Sequence, residues 1–465
     1  MPKISYRFYS SIRPVYELIQ WKKAGKNIFL ISCPTELKGE DIQVNRSAFD
    51  ILKLMDGEKR LFEIVKQLQG KYPGEARELS GKVKAFVQNM VSMGVVENLQ
   101  APEKRKKEII LINSDYWLKK LQIEITPKCN LRCKHCYVYS EENQKEMEIP
   151  TDKMKDVIVQ AKKVGTEVVS LTGGEPFLRE DIFDILTYIN SKNMATIILS
   201  NGTLIDQEIA EKLSTLRNIY MAISLDGPKE AHESLRDVKG CFSKTLRGIK
   251  NLMSYGVPLR INFMVNRYVL GKSKELIRTL KELGYDKPPR LGIILNLGRA
   301  QSNNVCVTVA EFAEEYRKYW EAIKEFLGLK KYPVKALEGN NCGVGEDSLA
   351  ITSEGNIIPC PPLNREPFIL GNIYCDKLSD VWNDSEKLEK IRDINTRRNK
   401  GCMSCKFWEY CKGGCRISAM ISSGGHADGF FNSPNPFACA RWRVVKDDIE
   451  IVKECSEAFL MSQLI

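Results

Sequence analysis

The sequence predicts an α/β protein built around a parallel sheet, with a small helical module before the sheet and a cysteine-rich segment after it. From residue 121, six apolar strand-like runs alternate with helical runs. This alternation is typical of a parallel sheet wound with helices, either open or closed into a partial barrel. After residue 335 the alternation stops and Cys, Gly, Pro and Asn become frequent, so we expect metal binding rather than a large core to hold this segment.

Composition narrows the class of protein. The chain has 465 residues, of which 43% are hydrophobic and 28% charged. No apolar run approaches the roughly 18 residues that a membrane helix needs, and the first residues lack the apolar core of a signal peptide. We therefore expect a cytoplasmic protein whose fifteen cysteines are thiols or metal ligands rather than disulfides. The scarcity of histidine weighs against a histidine-rich zinc hydrolase and a Ser-His-Asp triad, since the only histidines are His135, His232 and His426.

The N-terminal part is predicted to form a winged-helix-like module. The strand-like runs NIFLIS and DIQVN precede three helical patterns, RSAFDILKLMDG, RLFEIVKQLQ and GKVKAFVQNMVSMG, and the strand-like VVENL follows them. The charged stretch APEKRKKE has no apolar face and predicts a linker. Residues 1–108 hold 20 Lys and Arg against 13 Asp and Glu, so an acidic partner could dock there.

The predicted sheet begins with LQIEIT and continues through EVVSLT, ATIILS, NIYMAIS, PLRINFMVN and RLGIILNL. Sites in such sheets lie beyond the carboxyl ends of the strands, so the loops there are the places to search for chemistry. The predicted boundaries are 1–100 for the N-terminal module, 101–115 for the linker, 116–334 for the barrel and 335–465 for the cysteine-rich domain.

A group of three cysteines follows the first strand of the sheet. Cys129, Cys133 and Cys136 stand in a C-x3-C-x2-C loop, TPKCNLRCKHCYVYS. Three thiolates on a tight loop can hold three irons of a 4Fe-4S cluster and leave the fourth iron open for chemistry. Zinc is the alternative and would need a fourth ligand, for which His135 is nearby.

The second strand ends in LTGGEP, which places Gly173, Gly174, Glu175 and Pro176 in the next loop. Consecutive glycines allow the backbone to approach a ligand closely, and a carboxylate can bind an ammonium group. The cysteine loop and GGEP together resemble the radical S-adenosylmethionine (radical SAM) superfamily. The resemblance implies a partial (β/α)6 barrel, with the amino and carboxylate groups of S-adenosyl-L-methionine on the open iron and a 5′-deoxyadenosyl radical released by reductive cleavage.

The same resemblance implies further contacts to S-adenosylmethionine. Gly173 to Pro176 would cradle the amino group of its methionine portion. Asn201 in SNG, and Ser224 and Asp226 in ISLDG, stand where the family contacts the ribose and methionine portions. Arg236 in ESLRDVKG is a weaker match for the carboxylate contact, with a surface charge as the alternative.

Seven cysteines in the C-terminal segment resemble the SPASM extension of peptide-modifying radical enzymes. Their spacings are C-x12-G-x4-C, then C-x2-C-x5-C-x3-C and a last cysteine, whereas zinc ribbons share only the C-x2-C. The resemblance implies two auxiliary 4Fe-4S clusters with interleaved ligands, so that the chain would hold three clusters in all. Cys342, Cys360 and Cys415 would bind the first auxiliary cluster, and Cys402, Cys405, Cys411 and Cys439 the second.

Seven thiolates are one fewer than two fully ligated four-iron clusters need. We therefore expect an open iron in the first auxiliary cluster, unless Cys375, Cys306 or Cys241 folds back to complete it. These three cysteines, with Cys33 and Cys455, otherwise read as small buried hydrophobic residues.

The segment VNRSAFDILKLMDGEKRLFEIVKQL resembles the peptide chaperone of pyrroloquinoline quinone biosynthesis, the prototype of precursor-recognition domains. The resemblance implies that a leader peptide adds as a strand to an exposed sheet edge. Our candidates are the edge near Ile42 to Asn45 and the helix around Lys82 to Val91, where Lys82 and Lys84 would face an acidic leader. A basic winged helix could instead bind DNA, although no arginine-rich recognition helix stands out.

Together these resemblances predict a cytoplasmic RiPP maturase, a radical SAM oxidoreductase that forms a thioether crosslink in a ribosomally synthesised precursor peptide. An electron donor such as a flavodoxin or ferredoxin would be its second partner. Carbon–carbon or carbon–oxygen crosslinking, epimerisation and maturation of a quinone-containing protein remain alternatives, as does an iron–sulfur electron-transfer protein. The sequence identifies no catalytic base, although Glu346 is an acidic residue near the first C-terminal cysteine.

Overall fold

In the computed structural model the chain forms two compact units. The first comprises residues 1–119 and 160–167, and the second residues 120–159 and 168–465. The structure describes residues 11–14, 17–23, 26–32, 42–56, 58–72, 75–92, 96–99, 109–112, 114–137, 147–334, 342–393, 400–425 and 432–451. Most of the predicted linker, Cys33, His426 and Cys455 lie outside these residues.

The first unit contains a four-stranded sheet in the order β4-β3-β2-β6. Strands β2, β3 and β4 are antiparallel neighbours, whereas β6 runs parallel to β2. Strands β4 and β6 therefore form the two edges of this sheet, and β1 pairs separately with β5. The strands are β1 (Ser11–Pro14), β2 (Glu17–Lys23), β3 (Lys26–Ser32), β4 (Ile42–Val44), β5 (Val96–Leu99) and β6 (Ile109–Ile112).

Three helices complete the first unit, as the sequence predicts. They are α1 (Arg46–Leu54), α2 (Leu61–Gln69) and α3 (Ala76–Ser92). Asn45 caps α1, since its side-chain oxygen accepts the Ala48 N–H at 2.8 Å. The apolar faces of the helices meet in one core that contains Phe49, Leu52 and Ile64. Burial of the apolar helix faces in this core stabilises the module.

The second unit is built on a nine-stranded sheet in the order β12-β11-β10-β9-β8-β7-β14-β15-β16. Its first six strands are parallel and are the six that the sequence predicts. They are β7 (Lys120–Thr126), β8 (Val168–Gly173), β9 (Ala195–Ser200), β10 (Ile219–Ser224), β11 (Leu259–Val265) and β12 (Arg290–Ile293).

The sheet continues across the predicted boundary at residue 335. Strand β14 (Ser348–Ile351) pairs in parallel with β7, and the antiparallel strands β15 (Asn356–Ile358) and β16 (Gly371–Asn372) extend the sheet further. Strand β13 (Tyr332–Val334) pairs separately with β17 (Ile449–Ile451). The cysteine-rich segment is therefore joined to the parallel strands by backbone hydrogen bonds as well as by the chain.

Helices follow the strands of the second unit. They are α4 (Thr151–Lys163), α5 (Ile182–Ser191), α6 (Gln207–Ser214), α7 (Lys229–Arg236), α8 (Cys241–Ser254), α9 (Ser273–Glu282), α10 (Ala300–Asn303), α11 (Val309–Leu327), α12 (Leu378–Asp384), α13 (Glu386–Arg392), α14 (Lys400–Met403), α15 (Trp408–Cys411), α16 (Arg416–Ser422) and α17 (Pro436–Val445). Within the described ranges, no helix has both the length and the apolar character needed to span a bilayer.

The cysteine-rich segment has a larger apolar core than the sequence suggests. Leu363, Phe368, Ile391, Ile417 and Met420 are buried together, and the partly buried Cys360 and Cys415 pack against them. The elements in this part of the chain have only two to seven residues each, so the apolar periodicity is too brief to reveal the core in the sequence. Two of the predicted metal ligands are thus positioned by ordinary packing.

Candidate metal and cofactor sites

The first cysteine group lies in the loop that follows β7. Cys129, Cys133 and Cys136 belong to one cluster of side chains with the buried Leu131. Backbone hydrogen bonds hold the loop in place, since the Lys134 N–H donates to the carbonyl of Leu235 at 2.9 Å at the end of α7. On its other side, the Arg299 N–H donates to the carbonyl of Cys136 at 3.0 Å. The three thiols that the sequence selects are therefore brought together at the carboxyl end of the sheet.

Gly173 and Gly174 let the end of β8 approach this loop. Their close contact is with the protein backbone, because a Cβ on Gly174 would lie 2.0 Å from the carbonyl oxygen of Lys128. The Glu175 N–H donates to that carbonyl at 2.7 Å, and the Gly174 N–H donates to the Thr126 carbonyl at 2.8 Å. The glycine pair thus packs β8 against the segment that leads into the cysteine loop, which the sequence analysis did not foresee.

Glu175 is fully buried and its carboxylate already has protein partners. One oxygen accepts the Ser200 hydroxyl at 2.8 Å, and the other accepts the Asn201 N–H at 2.8 Å. Burial raises the pKa of Glu175 to about 7, although these hydrogen bonds oppose the rise. Pro176, which is also buried, begins a short 3-10 turn at residues 176–178. The Glu175 side chain therefore ties GGEP to the end of β9.

Asn201 connects the end of β9 to the cysteine loop. Its side-chain N–H donates to the side-chain oxygen of Asn130 at 2.9 Å, and its own side-chain oxygen accepts the Thr203 N–H at 2.9 Å. Ser224 is the last residue of β10 and lies opposite Asn262 in the register. Its side chain is partly exposed at the carboxyl edge of the sheet, a position from which it can meet a bound ligand.

Asp226 and Arg236 bind each other rather than standing open to a ligand. Both are buried, and the Arg236 Nε–H donates to Asp226 Oδ2 at 2.8 Å. Arg236 Nη1 also lies 3.5 Å from the sulfur of Cys133. Burial alone would raise the pKa of Asp226, but the charge of Arg236 holds it below its ordinary value. The sequence analysis expects both side chains to contact S-adenosylmethionine. The structure places them beside the cysteine loop, where Arg236 reaches Cys133.

Two residues near the cysteine loop were missed by the sequence analysis. Glu124 is 7% exposed on β7, between the fully buried Ile123 and Ile125, and it lies opposite Thr172 of β8. Tyr137 follows Cys136 and is close enough to both Glu124 and Cys360 for their charges to act on it. Tyr137 as a whole is 40% exposed, but desolvation of its hydroxyl raises the pKa of this group well above the ordinary value, with Glu124 adding to the rise. An acidic residue within an otherwise apolar strand was the available signal for Glu124.

Glu124 should give the folded protein a measurable pH dependence. Burial raises its pKa from the ordinary 4.5 to about 7, while the N–H of Ser353 opposes the rise. The folded state then binds more protons than the unfolded state between these values, so stability falls as the pH rises from about 4.5 to 7, by about 3 kcal/mol. We expect E124Q, which keeps an acceptor for Ser353, to remove most of this loss in urea unfolding of the metal-free, reduced chain at pH 5 and 7.5. E208Q changes an exposed carboxylate and is the control; equal pH dependence in wild type and E124Q would contradict the prediction.

The first C-terminal cysteine group is Cys342, Cys360 and Cys415. Negative charge on Cys415 and on Cys342 raises the pKa of Cys360, so the three sulfurs lie near one another. Burial raises the pKa of Cys342 to about 11, with repulsion from Cys415 adding to the rise. The Cys342 sulfur accepts the backbone N–H groups of Val344 and Arg416. This grouping is the one expected for the first auxiliary cluster.

The second C-terminal group is Cys402, Cys405, Cys411 and Cys439. Negative charge on Cys439 raises the pKa values of Cys402 and Cys411, and negative charge on Cys405 raises the pKa of Cys439, so these sulfurs lie near one another. The sulfur of Cys411 accepts the Gly413 N–H and the indole N–H of Trp442. The Trp442 ring in turn stacks on Phe407 with the ring centroids 5.4 Å apart. Helix α17 therefore supplies both a cysteine of this group and the indole that binds another.

The remaining described cysteines belong to other parts of the unit. Cys241 is buried beside Cys133 in the first cysteine group's cluster. Cys306 packs against a separate cluster that contains Leu235 and Ile294, and Cys375 is exposed. None of these three thus shares the side-chain cluster in which Cys360 and Cys415 lie. Glu346 is partly exposed in the turn between Cys342 and β14.

The donor chemistry fits iron–sulfur clusters. Among the described residues, no three Cys, His, Asp or Glu side chains converge closely enough for a single metal ion. A four-iron cluster binds each thiolate to a different iron, so its ligands are more widely spaced. The buried thiols have raised pKa values, and a bound metal would supply the positive charge that converts them to thiolates.

Comparison with protein families finds three matches along the chain. Residues 123–283 match the radical SAM superfamily, and residues 342–406 match SPASM, described as an iron-sulfur cluster-binding domain. Residues 36–96 match PqqD, described as coenzyme PQQ synthesis protein D. The first match spans most of β7 and continues through β11 but ends before β12. The second match contains Cys342, Cys360, Cys402 and Cys405 and ends before the other three cysteines of the two C-terminal groups, Cys411, Cys415 and Cys439.

Curated relatives include a bacteriocin biosynthesis protein and a heme synthase. The chain is 28% identical over 403 residues to the antilisterial bacteriocin subtilosin biosynthesis protein AlbA of Bacillus subtilis, covering 83% of this chain and 87% of that protein. It is 27% identical over 332 residues to an AdoMet-dependent heme synthase of Methanosarcina barkeri, covering 66% and 93%. Among solved structures, SuiB of Streptococcus suis bound to precursor peptide SuiA has a TM-score of 0.63 at 18% identity, covering 91% of this chain and 99% of that chain.

Proposed function

We propose that this chain, a peptide-modifying radical SAM enzyme with SPASM and PqqD domains, forms a thioether crosslink in a ribosomally synthesised precursor peptide. The observation that carries the choice of bond is the group of Cys342, Cys360 and Cys415. These three thiols lie together in the part of the chain that the structure describes. Of the described cysteines outside the three groups, Cys241 and Cys306 pack in other apolar clusters and Cys375 is exposed. A four-iron cluster held there would keep one iron open, where a cysteine thiolate of the peptide could bind.

The residues around the first cysteine group fit S-adenosylmethionine and a four-iron cluster. Cys129, Cys133 and Cys136 would hold three irons, and the methionine portion would bind the fourth. With a reduced cluster, S-adenosylmethionine supplies a 5′-deoxyadenosyl radical that can remove a hydrogen from a peptide carbon. The partly exposed Ser224 at the edge of the sheet is placed to contact the cofactor, whereas Glu175 and Asn201 shape the loop around it.

The auxiliary sites would hold two further clusters, three in the whole chain. We assign Cys342, Cys360 and Cys415 to the first of them and the other four C-terminal cysteines, Cys402, Cys405, Cys411 and Cys439, to the second. Tyr137 has Cys136 and Cys360 as electrostatic neighbours, which puts it between the first cysteine group and the first auxiliary site. We place the reacting part of the peptide beside Tyr137 for that reason. Four-iron clusters with an open iron would be sensitive to oxygen, which favours a reducing cytosol, with a flavodoxin or ferredoxin as the electron donor.

The leader of the peptide would bind the first unit at strand β4. Strand β4 forms one edge of the four-stranded sheet, so its outer backbone groups can pair with an added strand. Helix α3 contributes Lys82, which is exposed but already paired with Glu78 at 2.6 Å. The positive charge of the module still favours an acidic leader.

Replacing Lys82 and Lys84 by alanine should weaken the affinity for an acidic leader by about threefold to tenfold at low salt, because exposed charges contribute little each. Fluorescence anisotropy with a labelled leader peptide measures the change. K212A is the matched control, since Lys212 pairs with Glu208 at the same helical spacing in the second unit. An unchanged dissociation constant for the double variant would remove α3 from the proposed interface.

A heme precursor is the competing substrate, given the relative that is a heme synthase. The PqqD domain and the greater share of the chain covered by AlbA favour a peptide. The test is coexpression of the chain with a cysteine-containing precursor under anaerobic conditions. A thioether removes two hydrogens per bridge and protects the cysteine from alkylation, whereas epimerisation leaves the mass unchanged. An unmodified, fully alkylated peptide would contradict the proposal.

A further inference from the structure

Arg416 holds a buried positive charge between the two C-terminal cysteine groups. It follows Cys415 directly at the start of α16 and is 3% exposed. Its guanidinium is fixed by two carbonyls, since Nη1 donates to Ser433 at 2.8 Å and Nη2 donates to Gly413 at 2.5 Å. The Nε atom is buried without a hydrogen-bond partner in the described part of the chain.

This single charge acts on both groups of cysteines. It opposes the rise in the pKa of Cys342, which burial causes in the first group. In the second group, Gly413 accepts Arg416 Nη2 with its carbonyl and donates its own N–H to the sulfur of Cys411, so the guanidinium lies one residue from a ligand of that group. Its charge also opposes the rise in the pKa values of Cys402 and Cys439 that burial causes. The backbone N–H of Arg416 also donates to the sulfur of Cys342. Arg416 therefore contacts the first group and lies within electrostatic range of the second.

A buried guanidinium needs nearby negative charge to be stable. Arg236 has such a partner in Asp226, but no carboxylate among the described residues forms an ion pair with Arg416. Thiolates that bind clusters carry negative charge. Arg416 binds Cys342 of the first group through its backbone N–H and lies next to Gly413, which binds Cys411 of the second group. The two auxiliary sites are thus the counter-charge that the surroundings of Arg416 offer.

We propose that Arg416 is a positioning residue that electrostatically couples the two auxiliary sites and raises the reduction potentials of both clusters. Local charge and hydrogen bonds to the sulfurs set the potential of an iron–sulfur cluster, and a nearby cation favours the reduced state. A charge near both sites would raise both potentials together, so that both clusters accept an electron from the peptide reaction more readily. The inference rests on the proposed ligand groups.

The test is a redox titration of the full-length, reconstituted protein followed by electron paramagnetic resonance. In R416Q we expect both auxiliary clusters to become harder to reduce. The ratio of reduced to oxidised cluster at a fixed potential should fall about tenfold, which corresponds to about 59 mV for one electron. The potential of the cluster held by Cys129, Cys133 and Cys136 should not change. In R416K the charge is kept, so both ratios should stay within about threefold of wild type, a limit of about 28 mV on the same scale.

R443Q is the matched control. Arg443 is exposed, and among the described cysteines with a shifted pKa its charge is a main influence only on Cys439, in the second group. It should leave the first auxiliary cluster unchanged. A shift of only one auxiliary cluster in R416Q, or of neither, would overturn the inference, as would equal shifts in R416Q and R416K. The titration reads only loaded clusters, so partial iron loss does not hide the result. Iron content and 5′-deoxyadenosine formation, measured on the same samples, separate this failure from a failure of the proposed function.

Discussion

Alanine in place of Cys129, Cys133 and Cys136 is expected to reduce the formation of 5′-deoxyadenosine from S-adenosylmethionine to the background of the reductant. The three thiols form one cluster at the end of β7, and the loop that carries them is fixed by backbone hydrogen bonds to Leu235 and Arg299. Alanine at these positions removes every cysteine ligand of the proposed cluster while keeping the loop backbone. Chromatography with mass detection measures the nucleoside, and iron should fall by about four atoms per chain.

The matched control for this variant is C306A. Cys306 is partly buried and lies in a separate apolar cluster, so its loss changes one cysteine without touching any of the three proposed sites. We expect C306A to keep both its iron and its nucleoside production. Wild-type amounts of 5′-deoxyadenosine from the triple variant would contradict the assignment of the first cluster.

C360A should separate S-adenosylmethionine cleavage from crosslinking. Cys360 lies with Cys342 and Cys415. Tyr137 lies near both Cys360 and Cys136, the last cysteine of the first group. Without Cys360, the first auxiliary cluster should be lost, with about four fewer irons per chain. Nucleoside formation should stay within about threefold of wild type, less than 1 kcal/mol of barrier, whereas the thioether product should disappear. Mass spectrometry of the coexpressed peptide measures the product.

The control for C360A is C375A, because Cys375 is exposed in the turn after β16 and lies outside the three groups. It should crosslink the peptide as the wild type does. Thioether formation at the wild-type rate by C360A would show that the first auxiliary site has no part in forming the bond.

The sequence predicts the six parallel strands and the three N-terminal helices well, because each has the apolar periodicity of its element over enough residues. The extension of the sheet by β14, β15 and β16 could not be predicted in this way. These strands have two to four residues each, and β14 pairs with β7 more than two hundred residues earlier in the chain. Pairing at such separation leaves no local signal.

The sequence predicts which cysteines form groups, but not the contacts of the residues around them. The cysteine groups follow from spacing and family resemblance, and the structure brings each group together. The partners of Arg236 and of the two glycines could not be foreseen, since a motif does not distinguish a residue that touches a ligand from one that supports the loop beside it. Arg416 gave no signal in the sequence, because its role depends on two cysteine groups that only the fold brings near it.

The most direct test of thioether formation uses a precursor peptide deuterated at the carbon that receives the sulfur. The peptide is incubated anaerobically with the reconstituted chain, S-adenosylmethionine and a reductant, and the deuterium content of 5′-deoxyadenosine is compared with the peptide mass. We predict that each bridge transfers one deuterium to the nucleoside and that the peptide loses that deuterium and one hydrogen. Deuterium-free 5′-deoxyadenosine, or a crosslinked peptide that keeps its label, would contradict hydrogen removal from that carbon.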